Sequence, residues 1–219
     1  MKDAPRFTKV VFIAICAFVV AGILPYTAMA QAGESPWMIR ARILGVEPDD
    51  DSSTITVIGG KAKVDDSVTV DVDFSYFFTD NVAAELTLTV SPHDVEAVHI
   101  PGVGKYDLGD VKLLPPTLTL QYHFIPDGKL RPYVGAGVNY TIFFDDDPGT
   151  ASSIDYDNAF GFALQAGFDV GINENWAINF DVKKIWLDTD VSAKTALGTV
   201  KTKVDIDPWL FGVGLAYRF

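Results

Sequence analysis

The sequence predicts an all-β chain closed into an eight-stranded antiparallel up-and-down transmembrane β-barrel, and three observations carry that prediction. Apolar and polar residues alternate through segment after segment, down to Val213, Leu215, Tyr217 and Phe219 in the terminal run GVGLAYRF. The connections between segments alternate short and long, the asymmetry of outer-membrane barrels. Trp37, Tyr122, Trp176, Trp209, Tyr217 and Phe219 fall near segment ends, where interfacial aromatic girdles belong.

The N-terminus comes first in order. Lys2, Arg6 and Lys9 precede an apolar run from Val10 to Leu24, and Ala28-Met29-Ala30 supplies a small-x-small cleavage pattern. Residues 1–30 are therefore expected to be a cleaved signal peptide and residues 31–219 the barrel. A permanent anchor helix would need ~20 apolar residues, whereas Pro25 interrupts this run. Cleavage takes Lys2, Arg6, Lys9 and Asp3 out of 17 basic and 29 acidic residues, leaving 14 and 28 and a formal charge of −14. So acidic a chain lacks the clustered cations that phosphate binding needs, which excludes nucleic acid as a partner. The sole cysteine, Cys16, lies in the signal peptide, so the mature chain is expected to have no disulfide, thiol nucleophile or cysteine metal site.

Eight strands follow, at 37–46, 67–78, 82–91, 116–124, 131–144, 158–170, 176–187 and 205–219. The second shows the pattern best: Val68, Val70, Val72, Phe74, Tyr76 and Phe78 on one face, Thr69, Asp71, Asp73 and Ser75 on the other. A soluble sandwich would alternate in the same way. Connection length separates the two, since the links TDN, IPDGKL and GINEN after the second, fourth and sixth strands are short and the other links much longer. Strands of this length also suit a tilted crossing of ~30 Å of hydrocarbon. The eighth strand is expected to pair with the first, so that its apolar face meets lipid. Tyr217 and Phe219 would then form the signal read by the outer-membrane assembly machinery.

Eight strands leave an interior just wide enough for side chains or one small ligand, which excludes a broad aqueous pore. Strand parity turns Arg40, Arg42, Asp71, Asp73, Glu85, Thr87, Asp181 and Lys183 inward. Charges at that density must pair, so a structural ion-pair network is preferred to a selectivity filter. Gly135, Gly137, Gly161 and Gly212 are inward by the same parity. They read either as a hollow side of the lumen or as small residues required by tight curvature. Pro115 and Pro116 begin the fourth strand and Pro208 sits in the eighth. Proline is tolerated where a ladder is already interrupted, so these three mark places where the wall could open sideways, the adjacent pair foremost. The alternative is that each merely ends a loop.

No catalytic site is expected. A lipid-modifying barrel would need a nucleophile and base at its lipid-facing side or outer rim, and no serine shares such a site with His93, His99 or His123. His93, His99 and Asp94 are too loosely spaced to suggest a metal site, and no motif implies a cofactor, nucleotide or redox centre. The acidic runs EPDDD and FFDDDPG read as solvated loops first, and second as weak calcium sites or contacts to cation-bridged lipopolysaccharide. Lys184 has lipid-facing parity beside Trp186, reading as a snorkelling side chain or a bulge.

LLPPTLTLQYHF (113–124), RPYVGAGVNYTIFF (131–144) and DIDPWLFGVGLAYRF (205–219) resemble the conserved strands of the outer membrane protein W family, and TDNVAAEL (79–86) is similar to its first periplasmic turn. The resemblance implies residence in the bacterial outer membrane. It further implies a passive channel for small, mainly hydrophobic molecules, with a narrow apolar lumen opening sideways into the bilayer. Here Thr87, Asp181 and Lys183 are polar where an apolar constriction is expected. The other functional class is a non-transporting barrel whose loops serve adhesion, stress tolerance or envelope integrity. Expected partners are outer-membrane lipid and lipopolysaccharide, the assembly machinery and small apolar solutes.

Overall fold

The computed structural model describes residues 35–49, 61–100, 104–147, 153–195 and 198–219; the segment 1–30, expected to be a signal peptide, lies outside them. Fourteen strands form among these residues: β1 (Trp37–Glu47), β2 (Lys61–Val64), β3 (Ser67–Phe77), β4 (Val82–Thr89), β5 (Ser91–Ile100), β6 (Gly104–Leu114), β7 (Thr117–His123), β8 (Leu130–Asp147), β9 (Ser153–Tyr156), β10 (Ala159–Gly171), β11 (Trp176–Trp186), β12 (Asp188–Thr195), β13 (Gly198–Asp205) and β14 (Trp209–Arg218). Eight close a barrel in the order β10-β11-β14-β1-β3-β4-β7-β8, and β8 pairs back to β10. Every pairing in it is antiparallel.

The barrel is apolar outside and polar within, as its alternation requires. Ile43, Val68, Val70, Leu120, Phe160 and Phe162 are exposed on the outer face, while Arg40, Asp73, Glu85, Gln121 and Asn179 are buried inside. Lipid rather than water is the solvent that such an outer face suits. The chain ends meet as expected: the Phe219 amide donates to the Trp37 carbonyl at 3.2 Å, and the Ser35 amide donates to the Phe219 carbonyl at 2.8 Å. Aromatic pairs ring one end, with Trp37 on Tyr76, Trp176 on Tyr217 and Tyr122 on Phe124 at centroid distances of 4.9, 4.9 and 5.3 Å. The short turns lie at this end and are pinned by side chains. Asn173 accepts from the Trp176 amide at 2.8 Å, and Asn81 donates to the His123 carbonyl at 2.7 Å.

The longer connections contain strands where sequence periodicity gave loops. The β5–β6 hairpin joins the upper part of β8, and β2 pairs with β5; β9, β12 and β13 form a separate three-stranded sheet. These segments rise past the lipid-facing band, so no solvent imposes a uniformly apolar face on them, and period-two patterning loses its contrast. The prolines also sit differently from expectation. Pro115 and Pro116 occupy the break between β6 and β7, and Pro208 the break between β13 and β14, each outside the strand it was assigned to.

Candidate functional site: the barrel interior and its wall

Three layers stack inside the barrel. At the short-turn end an apolar cluster of Met38, Phe77, Ala83, Ala177 and Ala216 is buried, with the His123 ring between Phe77 and Tyr133 at 4.9 and 5.0 Å. Above it lies a charged layer. Above that, Leu44, Ala163, Ile185, Leu187 and Leu210 belong to a second apolar cluster that continues into the separate sheet through Ile154, Val191 and Val204.

The charged layer crosses the lumen from wall to wall. Arg40 donates to Glu85 at 3.0 Å, to Ser75 at 2.9 Å and to Asp169 at 2.9 Å. Arg42 donates to Asp71 at 2.7 Å and to Asn179 at 3.2 Å, and ion-pairs with Asp73 and, at 3.6 Å, Asp181. Lys183 donates to Thr87 at 2.7 Å and lies 3.5 Å from Glu85. Gln165 ties the sides together, donating to both Glu85 and Asp181 at 2.8 Å while accepting from Thr119 and Gln121 at 3.1 Å. Tyr133 donates to Asp181 at 2.6 Å. In this buried interior every ion touches at least one opposite charge, with Arg42 shared among Asp71, Asp73 and Asp181, which is the condition for tolerating buried ions. Among the predicted lumen residues, Arg40, Arg42, Asp71, Asp73, Glu85, Thr87, Asp181 and Lys183 all lie in this layer. Parity reasoning placed Asp169 on the inward face of its strand but left Tyr133 and Asn179 unassigned, although each sits two residues from an inward position, Gly135 and Asp181 respectively.

The glycines leave no hollow wall. A Cβ at Gly212 would meet Arg42, one at Gly135 would meet Gln165 and Gln121, and one at Gly167 the Tyr133 hydroxyl. Long side chains from the hydrogen-bonded neighbouring strands fill that space. At Gly137 and Gly161 the obstacle includes backbone, the Leu118 and Trp186 carbonyls respectively, so tight strand approach is the reason for glycine there.

The wall is interrupted at two levels, and the two interruptions differ. The β4–β7 ladder ends at Thr87↔Thr117 and the β5–β6 ladder starts at Ser91↔Leu113. Four residues separate these rungs on each strand, so the register is continuous and the ladder simply lapses across 88–90 and 114–116. Pro116 accepts from the Tyr140 amide on the β8 side, and the Pro115 carbonyl accepts from Asn139 and Thr117 side chains at 3.3 and 3.1 Å. Proline supplies no donor toward β4. A small cavity of about 10 Å3, near the volume of one water, opens here between Thr87, Thr89, Pro115 and Thr117, floored by Arg42, Asp71 and Lys183 and walled by Leu44, Ile185 and Leu210.

The second interruption also keeps register, from Lys184↔Trp209 to Asp188↔Asp205. This one is mended. The Ile185 amide donates to the Pro208 carbonyl and the Ile206 amide to the Leu187 carbonyl, both at 3.1 Å, and Asp207 accepts from the Leu187 amide at 2.8 Å. Asp207 reaches that position with φ of 35°. The expected opening at Pro208 is therefore corrected: the wall there is hydrogen-bonded shut.

Comparison with known proteins adds to this geometry. The model of the OmpW family matches residues 31–219. The chain belongs to the OmpW family. It is 46% identical over 199 residues to the uncharacterized outer-membrane protein y4mB of Sinorhizobium fredii, covering 90% of this chain and 86% of that one. It is 32% identical over 194 residues to the dibenzothiophene metabolism operon protein PahQ of Pseudomonas aeruginosa, covering 86% of this chain and 90% of that one. The crystal structure of the outer membrane protein OprG from Pseudomonas aeruginosa superposes with a TM-score of 0.77 at 33% identity, covering 87% of this chain and 99% of that one. This OmpW-family chain is thus a barrel of the bacterial outer membrane.

Two further residues of this OmpW-family barrel had been singled out. Lys184 is buried despite its lipid-facing parity: it donates to the Asp207 carbonyl, bonds Asp49 at 3.2 Å and lies 5.0 Å over the Trp209 ring, bracing the mended seam. His93, in the β5 extension, is also buried. Its Nδ1 donates to the Asp65 carbonyl at 3.0 Å and its Nε2 accepts from Ser91 at 2.9 Å, an arrangement for a neutral ring. Burial holds its pKa below the ordinary value of 6.5. The side chain of His99 lies outside the described residues, as do those of Asp50, Asp51 and Asp145 to Asp147.

Proposed function

We propose that the protein is a passive, non-enzymatic route for small, mainly hydrophobic solutes, which enter from the outside, reach the apolar cluster around Leu44, Ile185 and Leu210 and leave sideways into the bilayer through the gap at Pro115 and Pro116. The observation that carries this reading is the lapsed ladder beside a cavity whose floor is charged. An apolar solute descending the barrel meets Arg42, Asp71 and Lys183, where desolvating paired ions is costly, while an unpaired stretch of wall stands beside it. PahQ's association with a dibenzothiophene metabolism operon supports apolar cargo. The Pro115→Val, Pro116→Val variant restores two backbone donors and is expected to reseal the ladder. Apolar uptake into cells should then fall severalfold with folding intact. Unchanged uptake in the folded variant would exclude the lateral exit.

A filled polar layer favours a second reading, a barrel that transports nothing and serves adhesion, stress tolerance or envelope integrity. Apolar uptake no faster than in cells lacking the protein would favour it.

A further inference from the structure

Phe143 on β8 and Tyr156 on β9 stack with ring centroids 5.4 Å apart and planes 11° from parallel. Both are half-buried. They pack against two apolar clusters that are otherwise separate: the barrel cluster that includes Ile185 and Leu210, and Val95, Val111 and Leu113 of the β5–β6 extension. The pair thus stands where the extensions meet the upper apolar cluster of the barrel. The Phe143 amide faces the Asn158 side chain at 3.4 Å, which ties β8 to the chain following β9 and holds the rings in place.

We infer that this stack is an aromatic threshold that selects planar aromatic solutes over saturated ones of the same carbon skeleton. The inference rests on the transport reading above. Area burial favours both kinds of solute alike. Offset stacking on a ring already fixed parallel to its neighbour favours only a flat π-system, because the ring quadrupoles reward that geometry. The buried residues of the cluster below are aliphatic and give no such discrimination, so selectivity would be set at Phe143 and Tyr156. Sequence reasoning missed the pair, since Tyr156 falls in a segment without strand periodicity.

The test uses the full-length protein expressed in a Gram-negative strain lacking its own copy, with initial uptake of radiolabelled naphthalene and decahydronaphthalene compared with the strain lacking the protein. The wild type is expected to accelerate naphthalene more than its saturated counterpart, by roughly two- to tenfold, the range an aromatic pair contributes. Phe143→Leu with Tyr156→Leu should abolish that preference while decahydronaphthalene uptake persists, and Phe143→Trp should keep it. Heat-shifted electrophoretic mobility reports folding; should the double variant fail to fold, each single leucine variant is read in the same way. Acceleration of both solutes without preference in the wild type, or a preference that survives in the folded leucine variants, overturns the threshold and leaves transport standing. Acceleration of neither solute overturns transport and the threshold together.

Discussion

At the scale of single residues, the interior is explained by what each side chain displaces. Arg42 serves Asp71, Asp73 and Asp181 at once, and both carboxylate oxygens of Asp73 lack a hydrogen bond. Arg42→Met would leave three buried carboxylates without that cation, and breaking a buried pair costs about 3–5 kcal/mol. Urea unfolding in lipid vesicles should show a loss of that order. Lys203→Met, which breaks a surface pair with Asp188 at 2.9 Å, should cost under about 1 kcal/mol. Equal losses would mean that the layer is not a desolvated network. Glycine gives a second contrast. A Cβ at Gly137 collides with the Leu118 carbonyl and Thr119 Cα, backbone atoms that cannot turn aside, whereas one at Gly45 meets nothing nearer than 3.9 Å. Gly137→Ala should lower the folded fraction on heat-shift electrophoresis and Gly45→Ala should not.

At the scale of elements, the strands legible in the sequence were those whose outer face meets lipid. Val68 to Phe78 could be assigned because one solvent acts on every second residue. The Ser91–Ile100 strand could not, because it stands above that solvent and carries Pro92, His93 and Asp94 in succession. The same limit explains the prolines: the absence of a donor at Pro115 and Pro208 was readable, but whether a neighbour mends the break depends on Asp207 and Lys184, whose geometry no periodicity encodes. His93 makes the β5 extension testable. A histidine held neutral by burial gives stability that is fully present above its unfolded pKa and is lost as pH falls through that value toward the lower folded one, since there the unfolded chain binds the extra proton. Protection of the Val95 and Val111 amides, measured as exchange relative to the intrinsic rate at each pH, should therefore fall between pH 7 and pH 5. His93→Gln should flatten that dependence, and an equally steep one in the variant would remove His93 as its cause.

At the scale of the whole molecule, the layers act in series. The apolar cluster around Phe77 and the charged layer around Arg42 each span the lumen, so neither alone decides whether ions cross, and the lapse in the wall at Pro115 and Pro116 lies above both. Ordinary porins leave an aqueous channel because sixteen or more strands cannot be filled by side chains, but eight can. It follows that opening one layer should not create an ion path. Phe77→Ala removes a ring packed against His123 at 4.9 Å and Arg218 at 4.5 Å, yet leaves Arg40, Glu85, Asp169 and Gln165 bridging the barrel above it. In planar bilayers the folded Phe77→Ala protein should conduct no more than the wild type, and apolar uptake into cells should be unchanged, because the proposed route has already left the barrel at Pro115. A rise in conductance would show that the charged layer passes ions and that the Phe77 cluster is the true seal. A fall in apolar uptake would place the solute path through the short-turn end instead of through the wall.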